Sequence, residues 1–268
     1  MSSVPDHQPP TRRIAMRIMY DGGAFYGWQR QRRGRTVQET IERMLSRLAG
    51  DQPVTVIGAG RTDSGVHAHG QVAHADIPSR YAPAELLHAL RRMSPDDLAI
   101  TDLVEADPEF HARYRASARS YRYTIIHHPD PFRARYAWRV DHRIDLELLG
   151  AAARLLIGRR DCTSLSKHNP DTPNMICDIT RAEWVPRDGA LEFHITADRF
   201  LYGMVRLVVG LQMDIARGRR SLEEIIPLLE RRDRSLQSGS VPAHGLSLIE
   251  VSYPQPIFPE TSTGFAAR

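Results

Sequence analysis

Lysine is nearly missing from this chain: Lys167 is the only one, so almost all of the 36 Lys and Arg residues are arginine. The bias runs through the whole sequence, and an Arg in place of a Lys at any one position is therefore uninformative. Cysteine is also scarce. Cys162 and Cys177 lie too far apart for a CxxC motif and are too few for a disulfide framework or a structural zinc, so they read as reduced thiols. No window reaches the ~18 uninterrupted apolar residues of a membrane helix. The best stretch, residues 200–215, is broken by Arg206, Gln212 and Asp214. The first residues lack the apolar core of a signal peptide, and no HExxH occurs anywhere. These absences exclude a disulfide-stapled scaffold and a helical membrane protein, and they leave a cytosolic globular protein as the expectation.

What is present fits that expectation: 268 residues, of which 41% are hydrophobic and 25% charged. The length exceeds a typical single domain of ~100–150 residues, so two are expected, at 12–108 and 109–253, joined near 106–117. The flanking segments 1–11 and 254–268 are rich in Pro, Ser, Thr or Gln and read as tails. The net charge of +4 is modest but unevenly spread. Seven arginines crowd residues 12–35 against the single acid Asp21, with Phe25, Tyr26 and Trp28 among them. Eight more crowd residues 111–143, interleaved with Tyr114, Tyr121, Tyr123, Phe132, Tyr136 and Trp138. Cations neutralise phosphates and aromatic faces accept unstacked bases, so both segments suit nucleic acid; solvated protein faces would look similar.

The periodicity is that of an α+β fold. Residues 13–20 alternate as a strand, and Thr36 with Glu39 opens a helix whose apolar face is Val37, Ile41, Met44, Leu45 and Leu48. Strands follow at 54–59 and 71–77, a helix at 83–93 and a strand at 98–104, giving the order βαββαβ. The second half repeats it. A strand spans 119–127, a helix runs from Asp145 to Ile157 before Gly158, and strands lie near 177–185 and 190–196. A long helix at 200–217, a short one opened by Ser221 with Glu224, and a strand at 246–253 complete the repeat. Two split βαβ units with antiparallel sheets, the topology shared by ferredoxin-like and RNA-recognition domains, are the economical reading.

Between the second and third strands lies Gly58-Ala59-Gly60-Arg61-Thr62-Asp63-Ser64-Gly65-Val66-His67-Ala68-His69-Gly70-Gln71. Its glycines permit tight turns and close approach to a ligand. Asp63, beside Arg61, is expected to stay ionised and suits a nucleophile, although the local sequence alone favours an Asx turn in which it caps its own backbone. His67 and His69, with His74 and Asp76 beyond, also raise a metal site, though no further ligand motif accompanies them. Arg206 interrupts an apolar helical pattern. A charge there demands an acidic partner, and Asp63 is the candidate.

The loop resembles the signature of the tRNA pseudouridine synthases, a Gly-Arg-Thr-Asp-x-Gly-Val-His block. The resemblance extends to Tyr20-Asp21-Gly22 with Tyr26-Gly27-Trp28-Gln29-Arg30-Gln31, to Thr36-Val37-Gln38, and to Phe110-His111-Ala112-Arg113 followed by Ser120-Tyr121-Arg122-Tyr123. Phe200 to Arg206 and Gly245-Leu246 match further blocks in family order. The resemblance implies two βαββαβ domains whose sheets meet at a basic catalytic cleft, and a homodimer that needs neither metal nor cofactor. It implies isomerisation of uridines on the 3′ side of the tRNA anticodon stem-loop, at tRNA positions 38–40. The family's nucleophile falls on Asp63, its active-site tyrosine on Tyr121, where it stacks on the base, and its ion-pair partner on Arg206. Arg61 falls on the arginine that holds the displaced nucleotide, and Arg30, Arg33, Tyr26, Trp28 and His67 are expected to contact RNA. The chain departs from the family at Arg91 to Pro95, which lacks an Asn-containing turn, and at Asp161 to Leu165, which lacks phenylalanines. A non-catalytic RNA-binding protein of the same fold is the competing reading, with a metal-dependent hydrolase behind it.

Overall fold

The structure, a computed structural model, describes residues 11–78 and 81–259, so most of both expected tails lies outside the described residues. In the first half β1 (Thr11–Tyr20) turns Ile14, Met16, Ile18 and Tyr20 inward. The hydroxyl of Thr36 accepts from Glu39 N at the head of α1 (Val37–Leu48), which buries Val37, Ile41, Met44 and Leu45. The strand expected at 54–59 shrinks to β2 (Ile57–Gly58) because α1 takes its backbone instead. Glu42 accepts from Val56 N at 3.0 Å, Gln38 donates to Val56 O at 3.0 Å, and the Ser46 hydroxyl accepts from Val54 N. Then come β3 (His67–Pro78), α2 (Pro83–Met93) and β4 (Leu98–Glu105).

The second half comprises β5 (Ala118–Ile126), β6 (Trp138–Arg139), α3 (Leu146–Leu156), β7 (Gly158–Asp161), β8 (Ile176–Arg187), β9 (Ala190–Ala197), α4 (Met204–Ala216), α5 (Ile225–Arg231) and β10 (Leu246–Ser252). Asp145 caps α3 by accepting from the amides of Glu147 and Leu148. Helix α4 begins at Met204 rather than at 200, since Gly203 holds a left-handed conformation with φ of 69°. Residues 254–259, expected to open a tail, instead return Phe258 to the core beneath Arg17.

Each half arranges its strands in the order fourth, first, third, second, as β4-β1-β3-β2 and β10-β5-β9-β8. The two sheets meet, as expected, and they do so edge to edge. They fuse into one ten-stranded sheet through the parallel pairing of Ser247 with His67 and Leu248 with Ala68. Strand β3 accepts β2 at Ala73 and His74 and β10 at its first residues, so a single strand edge serves both neighbours. The physical reason is that an unpaired edge on either half leaves backbone donors and acceptors unsatisfied, and joining the edges pairs them. Gly70 makes the junction possible: a Cβ there would stand 2.4 Å from Ile249 O.

The segment expected to link the halves is pinned to this sheet. Arg13 donates to the carbonyls of Pro108 and Phe110, and Tyr253 Oη donates to Ala112 O at 2.7 Å. Ala112 N donates to His74 Nδ1 at 3.1 Å, which requires that nitrogen to be unprotonated. Burial lowers the His74 pKa to about 4, with His111 and Arg13 acting in the same direction and Asp76 opposing them.

Two outcomes follow. Gly70→Ala forces backbone against backbone at the junction and should destabilise the chain by about 1–3 kcal/mol, read as a lower urea midpoint. The unfolded chain binds a proton at His74 below about pH 6.5, which the folded chain refuses until about pH 4. Stability present above that window is therefore lost as pH falls through it. Urea midpoints measured across this range should drop, and His74→Asn, which can accept from the same amide without titrating, should flatten the slope.

Candidate active site

Four of the eight carbonyls in the loop between β2 and β3, that of Asp63 and three before it, are held. Arg119 donates to Ala59 O at 3.0 Å, Gln71 to Gly60 O at 2.9 Å, Trp28 N to Thr62 O at 3.1 Å, and Val66 N to Asp63 O at 3.1 Å. Tyr20 Oη and Thr62 Oγ1 share a hydrogen bond at 2.8 Å, and burial pushes the Tyr20 hydroxyl up to about 12. Gly27, at φ of 83°, lets the first loop lie against this one, where a Cβ would stand 2.6 Å from Thr62 O. A loop held in this way presents Asp63 in one place.

Arg206 meets it from α4. Its Nη1 donates to Asp63 Oδ2 at 3.0 Å and its Nε to Val241 O at 2.8 Å. The two side chains keep 17% and 18% of their surface, so the pair remains in contact with solvent. Among the described residues, Asp63 Oδ1 has no hydrogen-bond partner. The segment 238–245 acts as a strap that aims Arg206. Gly210 admits it against α4, since a Cβ there would lie 2.1 Å from Gly239 O, and Tyr123 Oη fastens it by donating to Pro242 O at 2.9 Å.

Tyr121 lies beneath the loop, its hydroxyl beside Gly60 and its ring edge-on to Phe200 at 5.0 Å. Burial raises its pKa well above the ordinary range, and the nearby Tyr20 and Asp63 add to this, so the phenol stays protonated. On the other side of the loop, Asp21 joins the two Arg-rich segments. Its Oδ2 accepts from Arg135 Nη2 at 2.5 Å and from Tyr136 Oη at 3.0 Å. Burial works against the Asp21 carboxylate, but the Gly23 amide, Tyr136, His67 and Arg135 outweigh it and hold the pKa low.

Not all of the expected RNA contacts are placed to touch RNA. Arg61 and Arg33 are exposed, as is Tyr26, whose ring lies over Gly34; Arg30 is largely exposed while reaching Glu42 at 3.3 Å. Two expectations need correcting. Trp28 is 2% exposed and packs under Gly58, where a Cβ would stand 2.5 Å from its ring, so it is core. His67 is 3% exposed; its Nδ1 accepts from Gly22 N and its Nε2 donates to His244 O, which leaves no ring nitrogen for a phosphate or a metal. Burial lowers its pKa, with Asp21, 3.1 Å from Nδ1, opposing. Among the described residues no three His, Cys, Asp or Glu side chains converge as metal ligands, and no helix is long and apolar enough to cross a membrane.

One residue escaped sequence reasoning as more than a generic cation. Arg119 is buried, and its two terminal nitrogens donate to four carbonyls: Ala59, Arg113, Ala116 and Asp198. It thereby ties the start of the Asp63 loop to the linker and to the end of β9. The signal was present, because Arg119 shares its strand face with Tyr121, Tyr123 and Ile125, and a charge in the buried phase of a strand needs partners.

Comparison with known proteins bears on the family. A family model described as tRNA pseudouridine synthase matches residues 16–115 and 152–254, so both halves are covered. The tRNA pseudouridine synthase A of Parabacteroides distasonis is 39% identical over 249 residues, spanning 92% of this chain and 98% of that protein. Those of Picosynechococcus sp. and Porphyromonas gingivalis are 40% and 39% identical over 93% and 92% of this chain, and 92% and 99% of their own lengths. With the match running through the Asp63 loop, the linker and α4 alike, this chain belongs to the tRNA pseudouridine synthase family.

Proposed function

We propose that Asp63 is the nucleophile with which this member of the family isomerises uridine in tRNA to pseudouridine. The observation that carries the reading is the pairing of Asp63 with Arg206 at 3.0 Å on a loop fixed at its carbonyls. The guanidinium orients one carboxylate oxygen, while the other is free to react.

The chemistry asks for little else. The target uridine leaves its stack, at a cost of a few kcal/mol, and reaches the exposed oxygen of Asp63. Asp63 then attacks the ribose C1′ or removes a sugar proton to give a glycal. The C1′–N1 bond breaks and the freed uracil turns; a C1′–C5 bond then forms as the C1′–O bond to Asp63 breaks or the sugar proton returns to the glycal, and C5 loses a proton while N1 gains one. No atom of the product comes from outside, so no cofactor is required. Arg61, exposed and without a side-chain partner among the described residues, suits the role of holding the displaced strand. Tyr121 serves as the floor under the base. The resemblance of the whole chain to the family supports uridines on the 3′ side of the anticodon stem-loop as targets, a cytosolic setting and a homodimer.

A non-catalytic RNA-binding protein would make no use of the carboxylate, and this separates the two readings. Asp63→Asn keeps the shape but removes the anionic oxygen that both routes need. Single-turnover pseudouridine formation on an unmodified tRNA transcript, mapped chemically, should fall by about 10²–10⁴-fold or more, with tRNA binding and unfolding midpoint unchanged. Near-parental conversion by this variant would overturn the assignment. Arg206→Ala should lose stability as well as activity. Because the pair keeps some solvent, about 1–3 kcal/mol is expected rather than the ~3–5 kcal/mol of a fully buried pair, measured by urea unfolding.

A further inference from the structure

The linker presents an aromatic surface that the reaction as derived does not use. Tyr114 is 77% exposed, yet one side of its ring rests on His111, with centroids 4.2 Å apart and planes inclined at 31°. His111 in turn packs on His74 at 4.7 Å. The His111 ring is fixed in orientation because its Nδ1 accepts from the amides of Arg113 and Tyr114. The flanking Arg113 and Arg115 are exposed, and among the described residues neither guanidinium has a carboxylate partner. That sets them apart from Arg12, Arg13, Arg17, Arg35 and Arg139, each of which is paired with an acid.

A large aromatic ring held out to solvent by a rigid base is costly unless something covers it. Here the base is rigid indeed: Tyr253, His74 and Arg119 hold the backbone of residues 112 and 113. The position matters as much as the chemistry. The same nitrogen of Arg119 that holds Arg113 O also holds Ala59 O, so the platform is mechanically continuous with the loop that carries Asp63.

We propose that Tyr114, seated on His111 and flanked by Arg113 and Arg115, is a docking platform for one unpaired nucleobase of the RNA, with an adjoining phosphate on the guanidiniums. Stacking reads no sequence, since every base has a π-face, and it fixes where the strand lies. The platform would therefore set the distance between a docked base and the uridine presented to Asp63. The inference rests on RNA being the substrate.

The test is binding of an unmodified tRNA transcript by fluorescence anisotropy, with single-turnover conversion on the same samples. Tyr114→Ala should weaken binding about tenfold or more, while Tyr114→Phe and Tyr114→Trp should remain close to the parent. Conversion at subsaturating enzyme should fall in step with affinity for Tyr114→Ala and stay close to the parent for the other two. Arg113→Ala should lower the slope of log affinity against log salt by about one, whereas Tyr114→Ala should leave it alone. Replacing the unpaired bases of the anticodon arm one at a time by abasic residues should reveal one position at which the parent and Tyr114→Ala bind equally. Parental affinity in Tyr114→Ala, equal losses in the Phe and Ala variants, or no abasic position that erases the difference would each overturn the platform. Failure of the parent to form pseudouridine would count against the activity instead, and the binding comparison would still decide the platform.

Discussion

The carboxylate proposed as nucleophile and the guanidinium that orients it come from different halves of the chain. Asp63 rides on a loop of the first half and Arg206 on α4 of the second, and they meet at 3.0 Å. Much of what surrounds them can be understood as fixing that distance. The β3–β10 junction sets the halves side by side, Gly70 lets the strands approach, and the strap through Val241 aims the guanidinium. An ion pair with residual solvent contact is weak when its members are free to move, so its strength here comes from the rigidity of the two supports.

Arginine suits these supports for a reason that composition alone did not disclose. Arg119 satisfies four carbonyls with two nitrogens, and Arg206 divides its fork between a carbonyl and a carboxylate. A planar fork with five donors can do this in one fixed orientation; a single ammonium cannot span the same acceptors. The near-absence of lysine remains a property of the whole chain, but at these two positions the guanidinium is what the geometry requires.

The parts of this design that were legible in the sequence are those with a local cause. Thr36 with Glu39 announced α1, alternation announced β1 and β5, and a lone charge in the apolar pattern of α4 announced that Arg206 needed a partner. What stayed hidden had a distant cause. The strand at 54–59 was lost to side chains of α1, because Gln38 and Glu42 bind the backbone of Val56. Trp28 and His67 lie among arginines and beside the reactive loop, where exposed RNA contacts are expected, but Gly58, Gly22 and His244 bury them. No local pattern could show that the two sheets fuse, since the pairing joins residues 67–68 to 247–248.

That junction also bears on how the molecule is made. Strand β10 follows every other strand along the chain, yet it lies in the middle of the sheet, between β3 and β5. As the polypeptide leaves the ribosome, both neighbours are synthesised before the strand that separates them. Until β10 arrives, β3 carries part of an open edge that invites pairing with other chains, and Asp63 stands without its guanidinium in place. Closing the sheet and bringing the two halves of the Asp63–Arg206 pair together are therefore linked to one late strand, and a chain that has not reached residue 246 still carries that open edge.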